Sequence, residues 1–344
     1  MTRHGALFDE IASFANLWSA AHKAALGKRA RPDVAGFLCG LEPELLQIER
    51  ELDAGTWRPA GYRTFRVFEP KERVICAAPF RDRVVHQALV QVVEPLFERG
   101  FIHDSYACRR GKGTHAAVDR VAAWARRYRW ALKVDVQKYF PSVDHAVVLE
   151  RLARRLRCAR TMDLFARILG SWTSDEAPLR WFPGDALWTP VERARGLPIG
   201  NLTSQFAANV VLDAVDHAVK DGLGVRAYAR YCDDLVVLAD DVARLRSVRT
   251  VIEAELTALR LRAHPRKTNL FPVRQGVPWL GYVVFGDRVA LRRPAVAALR
   301  RRLRAFGHRI SRDPTSRAGI QRSIEAARGT RNASTLARRL LAGS

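Results

Sequence analysis

An α+β fold is predicted for this chain by three observations. Apolar residues recur at helix spacing before residue 60, alternate at period two in several short runs after it, and return to helix spacing between those runs. With 344 residues the chain can bury a sizeable core, and its length suits two or three lobes rather than one small domain. The formal net charge is +23, with Arg recurring throughout and Trp, Tyr and Phe interleaved. That balance points to a polyanionic partner. Nucleic acid fits better than an acidic membrane, because no apolar run approaches the roughly 20 residues of a span and no basic amphipathic anchor is evident. Cys39, Cys76, Cys108, Cys158 and Cys232 are scattered, odd in number and never spaced Cys-x-x-Cys. They read as buried thiols of a reducing compartment rather than disulfides or a zinc site. The first ten residues carry acids and no continuous apolar segment, so no signal peptide is expected and the cytoplasm is the expected location.

The elements follow in order. Phe8, Ile11 and Phe14, then Leu17, Trp18 and Ala21, and later Leu41, Leu45, Ile48 and Leu52 predict an N-terminal helical extension over residues 1–60. Its basic loop, Lys28-Arg29-Ala30-Arg31, is either a nucleic-acid backbone contact or simply solvated. From Tyr62 the period becomes two, the chain turns at Pro70-Lys71-Glu72, and Arg73-Val74-Ile75-Cys76-Ala77 returns as a partner strand. Lys71 and Arg73 then stand at a hairpin tip, where cations suit a triphosphate or protect a strand edge. Val84, Ala88, Val92 and Leu96 mark the next helix. Gly111-Lys112-Gly113-Thr114 resembles a phosphate loop only superficially: no Ser or Thr follows Lys112 directly, and Tyr106 stands where a Gly is required. It reads as a basic loop carrying Arg109 and Lys112, and residues 61–130 form one unit.

Residues 131–285 hold the chemistry. Trp130, Leu132, Val134 and Val136 share one strand face, while Lys133, Asp135 and Gln137 share the other, so Asp135 is expected in mid-strand, an unfavourable place for an acid without a partner. Tyr231-Cys232-Asp233-Asp234 lies between two apolar runs and reads as a hairpin with its aspartates at the reversal. Adjacent carboxylates repel, and a cation relieves that cost. If the two segments neighbour each other in one sheet, three carboxylates converge as two-metal phosphoryl transfer requires. The alternatives are a solvated turn and a salt bridge from Asp135 to Lys133 or a nearby Arg. Beyond Asp135, Tyr139 and Phe140 are either core aromatics or contacts to a sugar, and Asp144 caps a helix through Leu152. Residues of about 155–195 have little regular patterning after Leu169 and read as an insertion whose Trp172, Trp181, Phe182 and Trp188 pack onto the sheet or stack on unpaired bases. A turn from Gly196 to Gly200, where Gly200 permits close backbone approach, leads into a helix to about Lys220. Val242 to Leu259 is an amphipathic helix. From residue 286 to 344 Arg greatly outnumbers Asp and Glu, and Leu299, Leu303 and Phe306 are helix-spaced.

Taken in order, Asp135-Val-Gln-Lys-Tyr-Phe-Pro-Ser-Val-Asp144, Gly196-Leu-Pro-Ile-Gly-Asn-Leu-Thr-Ser-Gln205 and Tyr231-Cys-Asp-Asp234 resemble the palm motifs of prokaryotic reverse transcriptases. Ile199 and Gln205 match the aliphatic-Gly-x-x-x-Ser-Gln form of diversity-generating retroelements rather than the commoner Gln-Gly-x-x-x-Ser-Pro. The resemblance runs from about Tyr62 to Gly281. It implies a right-hand polymerase: fingers over 61–130, a palm with a four-stranded antiparallel sheet and helices on one face, and a short helical thumb from 286 with no room after it for a ribonuclease H domain. It implies RNA-directed DNA synthesis from dNTPs on an RNA template and a DNA or RNA primer. Two Mg²⁺ would be held by Asp135, Asp233 and the Val136 carbonyl, with Asp234 in support. Lys71 and Arg73 match the finger residues on the incoming nucleotide. Phe140 matches the steric gate, Ile199 and Gly200 the segment beside the nucleotide, and Lys267 the lysine that protonates pyrophosphate. Arg109 and Lys112 match template-contacting positions, as Gln205, Tyr231, Trp279 and Gly281 match template or primer contacts. The diversity-generating form further implies error-prone copying and a small basic helical-bundle accessory protein. A retron-like or defence-associated enzyme, an RNA-dependent RNA polymerase and an RNA-binding maturase are the rival readings.

Overall fold

The structure, a computed structural model, describes residues 6–68, 72–292, 297 and 301. Four short helices open it: α1 (Phe8–Ala12), α2 (Phe14–Ala25), α3 (Pro32–Cys39) and α4 (Leu41–Asp53). The Ser13 side chain accepts from the Asn16 N–H and caps α2, and Pro32, whose missing N–H costs nothing in a first turn, begins α3. Ile11, Leu17, Leu45 and Ile48 are fully buried. Asn16 Nδ2 donates to the Ala88 carbonyl at 3.1 Å, fastening α2 to α5 (Phe80–Glu98). Among the described residues the extension therefore shares one continuous apolar core with α5 and one face of the central sheet, and that core is unbroken at residue 60.

Strands β1 (Arg63–Val67) and β2 (Arg73–Ala77) form the expected hairpin, pairing antiparallel from Arg63 opposite Ala77 to Val67 opposite Arg73. β1 is exposed throughout, whereas β2 is partly covered and buries Cys76. Lys71 lies outside the described residues. After α5 and a loop comes α6 (Thr114–Ala125).

The central sheet joins β3 (Trp130–Asp135), β4 (Tyr228–Tyr231), β5 (Asp234–Ala239) and β6 (Asn269–Pro272) in the order β4-β5-β3-β6, every pair antiparallel. Between β3 and β4 run α7 (Tyr139–Ser142), α8 (His145–Ala153), α9 (Ala159–Gly170), α10 (Thr189–Glu192) and α11 (Leu202–His217), the last continuing as a π-helical turn over Ala218–Gly222; α12 (Val242–Ala258) links β5 to β6. This is the expected four-stranded palm sheet with ferredoxin-like connectivity. As expected, the Asp144 side chain caps α8, accepting from Ala146 N–H at 2.8 Å.

Three expectations need correction. Asp135 is the last residue of β3, not a mid-strand residue, so its carboxylate sits where the sheet opens. The sheet is also covered on both faces. Leu132, Val134 and Val237 face α8, α11 and α12, while Ala131, Ala229 and Leu238 join a second core with α6 and a small sheet of β7 (Val277–Trp279), β8 (Tyr282–Val284) and β9 (Val289–Leu291). Small side chains at Ala131, Ala227 and Ala229 leave room for that second layer. Finally, β9 carries the small sheet past residue 285, where a helical thumb was expected to start. The thumb positions Leu299, Leu303 and Phe306 lie outside the described residues.

Candidate active site

The site is built on the β4–β5 hairpin. Tyr231 pairs with Asp234, leaving Cys232-Asp233 as a two-residue turn, and Cys232 takes φ 56°, a left-handed conformation that costs a non-glycine residue roughly 1–2 kcal/mol. Two hydrogen bonds hold the turn. The Val136 N–H donates to the Asp233 carbonyl at 3.1 Å, and Arg230 Nη1 donates to the Cys232 carbonyl at 3.3 Å. In the β3–β5 register Asp135 lies directly opposite Asp234, which sets their Cα atoms about 5 Å apart. Chain segments distant in sequence thus bring three carboxylates to one end of the sheet. Burial pushes the Asp233 carboxyl up to about 6, with the Asp234 and Asp135 charges adding to it.

Two lysines answer the acids. Lys267 Nζ donates to Asp135 Oδ2 at 2.8 Å, and Lys133 Nζ lies 3.2 Å from Asp234 Oδ1. The second contact is off the line of a hydrogen bond, so buried Asp234 Oδ1 has no hydrogen-bond partner among the described residues. The Lys133 salt bridge weighed for Asp135 from sequence therefore forms with Asp234 instead. Among the described residues no three acid, His or Cys side chains stand as a ready-made metal cage. Even so, the donor set fits a hard divalent cation: carboxylate oxygens, one without a hydrogen bond among the described residues, facing the ammonium groups of Lys133 and Lys267.

Beneath the hairpin lies a network the sequence reading missed. Arg230 and Asp216 are both 0% exposed, with Arg230 Nη2 donating to Asp216 Oδ2 at 2.7 Å and Nε to Oδ1 at 2.8 Å. Arg230 Nη1 also donates to Asn209 Oδ1 at 3.0 Å, and the Tyr228 hydroxyl to Asp216 Oδ1 at 2.6 Å. The signal was an Arg inside an otherwise apolar strand, which cannot be buried unpaired.

The remaining predicted residues divide. Tyr139 is buried, its hydroxyl donating to the Ala208 carbonyl at 2.6 Å, whereas Phe140, five residues beyond Asp135, is only half-buried. Cys76 N–H donates to the Ile199 carbonyl at 2.9 Å, and Asn201 Nδ2 donates to the Cys76 carbonyl at 2.8 Å. Gly200, at φ +110°, would place a Cβ 3.0 Å from Ile75 Cγ2, so the close approach it permits is to the finger strand. Arg73 is exposed at the described end of the hairpin. Gln205 on α11 and Tyr231 are half-buried, with Thr114 Oγ1 donating to the Tyr231 hydroxyl at 3.3 Å. Lys112 is half-buried, donates to the His103 carbonyl at 2.9 Å and lies over the Tyr106 ring with 5.5 Å to its centroid. Leu280 and Gly281 form the β7–β8 turn at φ 47° and 88°.

Two assignments are corrected. Arg109, with a side chain 5% exposed, donates to Glu98 and to the carbonyls of Ile102 and Ser105, so it braces its loop and presents no cation to a template. Trp279 is 0% exposed within the second core, so its ring has no open surface to offer a primer.

The family described as reverse transcriptase (RNA-dependent DNA polymerase) matches residues 69–284. Protein YkfC of Escherichia coli is 26% identical over 290 residues, 72% of this chain and 73% of that protein. The group II intron-encoded protein LtrA of Lactococcus lactis is 22% identical over 211 residues, 60% of this chain and 33% of that protein. The chain therefore spans about a third of the intron protein's length. Apo telomerase from Candida tropicalis shares the fold, with a TM-score of 0.50 and 10% identity over 68% of this chain and 49% of that one. Among the described residues no helix is long and apolar enough to cross a membrane. Ordered motifs, palm topology and the family match agree, and the chain belongs to the reverse transcriptase (RNA-dependent DNA polymerase) family.

Proposed function

We propose that this chain is an RNA-directed DNA polymerase that extends the 3′-hydroxyl of a DNA or RNA primer with dNTPs on an RNA template. The observation that carries the reading is Asp135 opposite Asp234 with Asp233 on the adjoining turn. Asp135, Asp233 and the Val136 carbonyl would hold two Mg²⁺, with Asp234 in support. Bound there, the ions lower the pKa of the primer hydroxyl and neutralise charge on the leaving pyrophosphate. The chain's own groups do the rest. Lys267, already on Asp135, releases it and offers a proton to the pyrophosphate. Half-buried Phe140 excludes a 2′-hydroxyl, and Arg73 with Lys71 meets the triphosphate. Ile199 and Gly200 line the nascent pair, while Lys112, Gln205, Tyr231 and Gly281 supply template and primer contacts. Primer extension on a defined RNA, with the cDNA sequenced, tests this: Asp233→Ala must abolish cDNA, and retained synthesis refutes the assignment.

The finer role is copying for diversification, supported by Ile199 and Gln205. An aliphatic side chain makes no hydrogen bond to the nucleotide and relaxes discrimination. Ile199→Gln should then lower misincorporation several-fold, and unchanged errors count against it. A retron-like or defence role shares every catalytic residue. An RNA-binding reading draws on relatives such as nuclear intron maturase 1 of Arabidopsis thaliana, 30% identical over 99 residues, 29% of this chain and 13% of that one. It is favoured if Asp233→Ala keeps full biological activity.

A further inference from the structure

A cleft between the insertion and the palm is lined by Ser142, Arg180, Arg193, Arg195 and Arg260, with Phe182 as its apolar wall. Four guanidinium groups meet there, yet only two carboxylates answer them. Asp144 pairs with Arg193 at 3.0 Å and with Arg260 at 2.7 Å, and Asp185 pairs with Arg193. Arg180 reaches only the Gln137 side-chain oxygen, and one arm of Arg195 reaches the Pro190 carbonyl at 3.0 Å. Neither forms an ion pair among the described residues. Just outside, Arg262 repels Arg180 while Glu150 attracts Arg260, which leaves the balance positive. Burial and neighbouring like charges lower the pKa of both Arg180 and Arg195, with Asp144 offsetting part of that effect at Arg195.

These groups are held in place rather than splayed into solvent. Arg193 stacks over Phe182 with 5.5 Å to the ring centroid, donates to the Arg180 carbonyl at 3.2 Å, and has a side chain only 5% exposed. Ser142 lines the palm side, its hydroxyl donating to the Gln137 carbonyl at 3.5 Å. Planar guanidinium forks with free N–H groups around a small concave site match the geometry of a tetrahedral oxyanion.

We propose that this cleft is a binding site for a phosphate-class anion, which bridges the unpaired Arg180 and Arg195 and cements the insertion onto the palm. It requires none of the three catalytic aspartates and so stands apart from the polymerase reading. The anion is either free, as inorganic phosphate or pyrophosphate, or a phosphodiester of bound nucleic acid.

Calorimetry on the full chain in EDTA, at ionic strength matched with chloride, reads the site directly with inorganic phosphate and with pyrophosphate. Saturable binding is expected, weakened at least about tenfold in Arg180→Gln/Arg195→Gln, the effect of losing one charge-assisted hydrogen bond. The catalytic variant Asp233→Ala should bind as the parent does, and Arg195→Lys should keep part of the affinity because the charge remains. Melting in chloride shows whether the variants fold. A single-stranded oligonucleotide that displaces the anion, and itself binds the double variant more weakly, identifies a phosphodiester as the source; pyrophosphate binding indifferent to the oligonucleotide identifies the free anion. Equal binding by parent and double variant, or no binding beyond the chloride control, overturns the proposal.

Discussion

Two carboxylate clusters lie on either side of the Cys232 turn, and they differ in the cation that answers them. Asp216 is met by Arg230, both 0% exposed, through a fork that also holds Asn209 and the turn itself. Asp135 and Asp234 are met by Lys267 and Lys133, whose side chains are 46% and 19% exposed. A buried guanidinium with its donors fixed cannot leave without stranding a charge, so that pair is architecture. An ammonium on a flexible stem can step aside for a stronger cation, so that pair is exchangeable. One hairpin carries both kinds, and the rigid pair supports the exchangeable one.

The comparison is broken or sharpened by four measurements. The largest effect is expected from Asp233→Asn, which removes one charged oxygen donor from the exchangeable cluster. Primer extension should fall at least about a thousandfold, since roughly 4 kcal/mol of metal-borne stabilisation is at stake, while melting temperature holds or rises. A fall in melting temperature instead would place Asp233 with the architecture. Next, Arg230→Met leaves Asp216 buried and unpaired and should cost about 3–5 kcal/mol in urea unfolding, most of it recovered in Arg230→Met/Asp216→Leu. A mild single-variant effect would erase the distinction between the clusters.

A further buried polar group lacks a hydrogen-bond partner among the described residues. Both His86 ring nitrogens are buried without a hydrogen bond among the described residues, and burial, helped by Arg83, lowers its pKa from 6.5 to about 4. The folded state keeps the ring neutral while the unfolded chain takes up a proton below 6.5. The resulting stability loss runs from pH 6.5 down to about 4 and reaches roughly 3 kcal/mol. His86→Leu should flatten that part of the stability-against-pH curve, and an unchanged curve rejects the assignment. The smallest effect concerns Lys133→Met. Losing the ammonium should lower metal-free stability by about 1 kcal/mol or less and raise Mg²⁺ affinity a few-fold, because the resident competitor is gone. Weaker Mg²⁺ binding, read by calorimetry, would show that Lys133 assists the metal instead.

Much of this was legible in the residues. Paired acids on a hairpin and a lone acid in an apolar strand are costly features that call for a cation, so Asp135, Asp233 and Asp234 stood out, although the sequence put Asp135 in mid-strand and the structure puts it at the strand end. The α12 span and the Asp144 cap followed from spacing and side-chain chemistry alone. Arg109 misled, because a basic loop position shows its charge but not its direction, and Glu98 lies a full loop away. Trp279 misled for the matching reason. An aromatic beside a turn looks available until α6 and β8 are seen to enclose it.

By itself the amino-acid order determined the local alphabet: which runs are strands or helices, where caps and reversals fall, and which side chains are too costly to leave without partners. Those are properties of short windows, set by steric preference and periodicity. Only the tertiary structure decided the pairings, such as Asp135 across from Asp234, Lys133 turned to Asp234 rather than Asp135, Arg230 locked on Asp216, and four arginines gathered around one cleft. Such partners sit tens to more than a hundred positions apart, and it is the register of the sheet and the packing of the helices that bring them together.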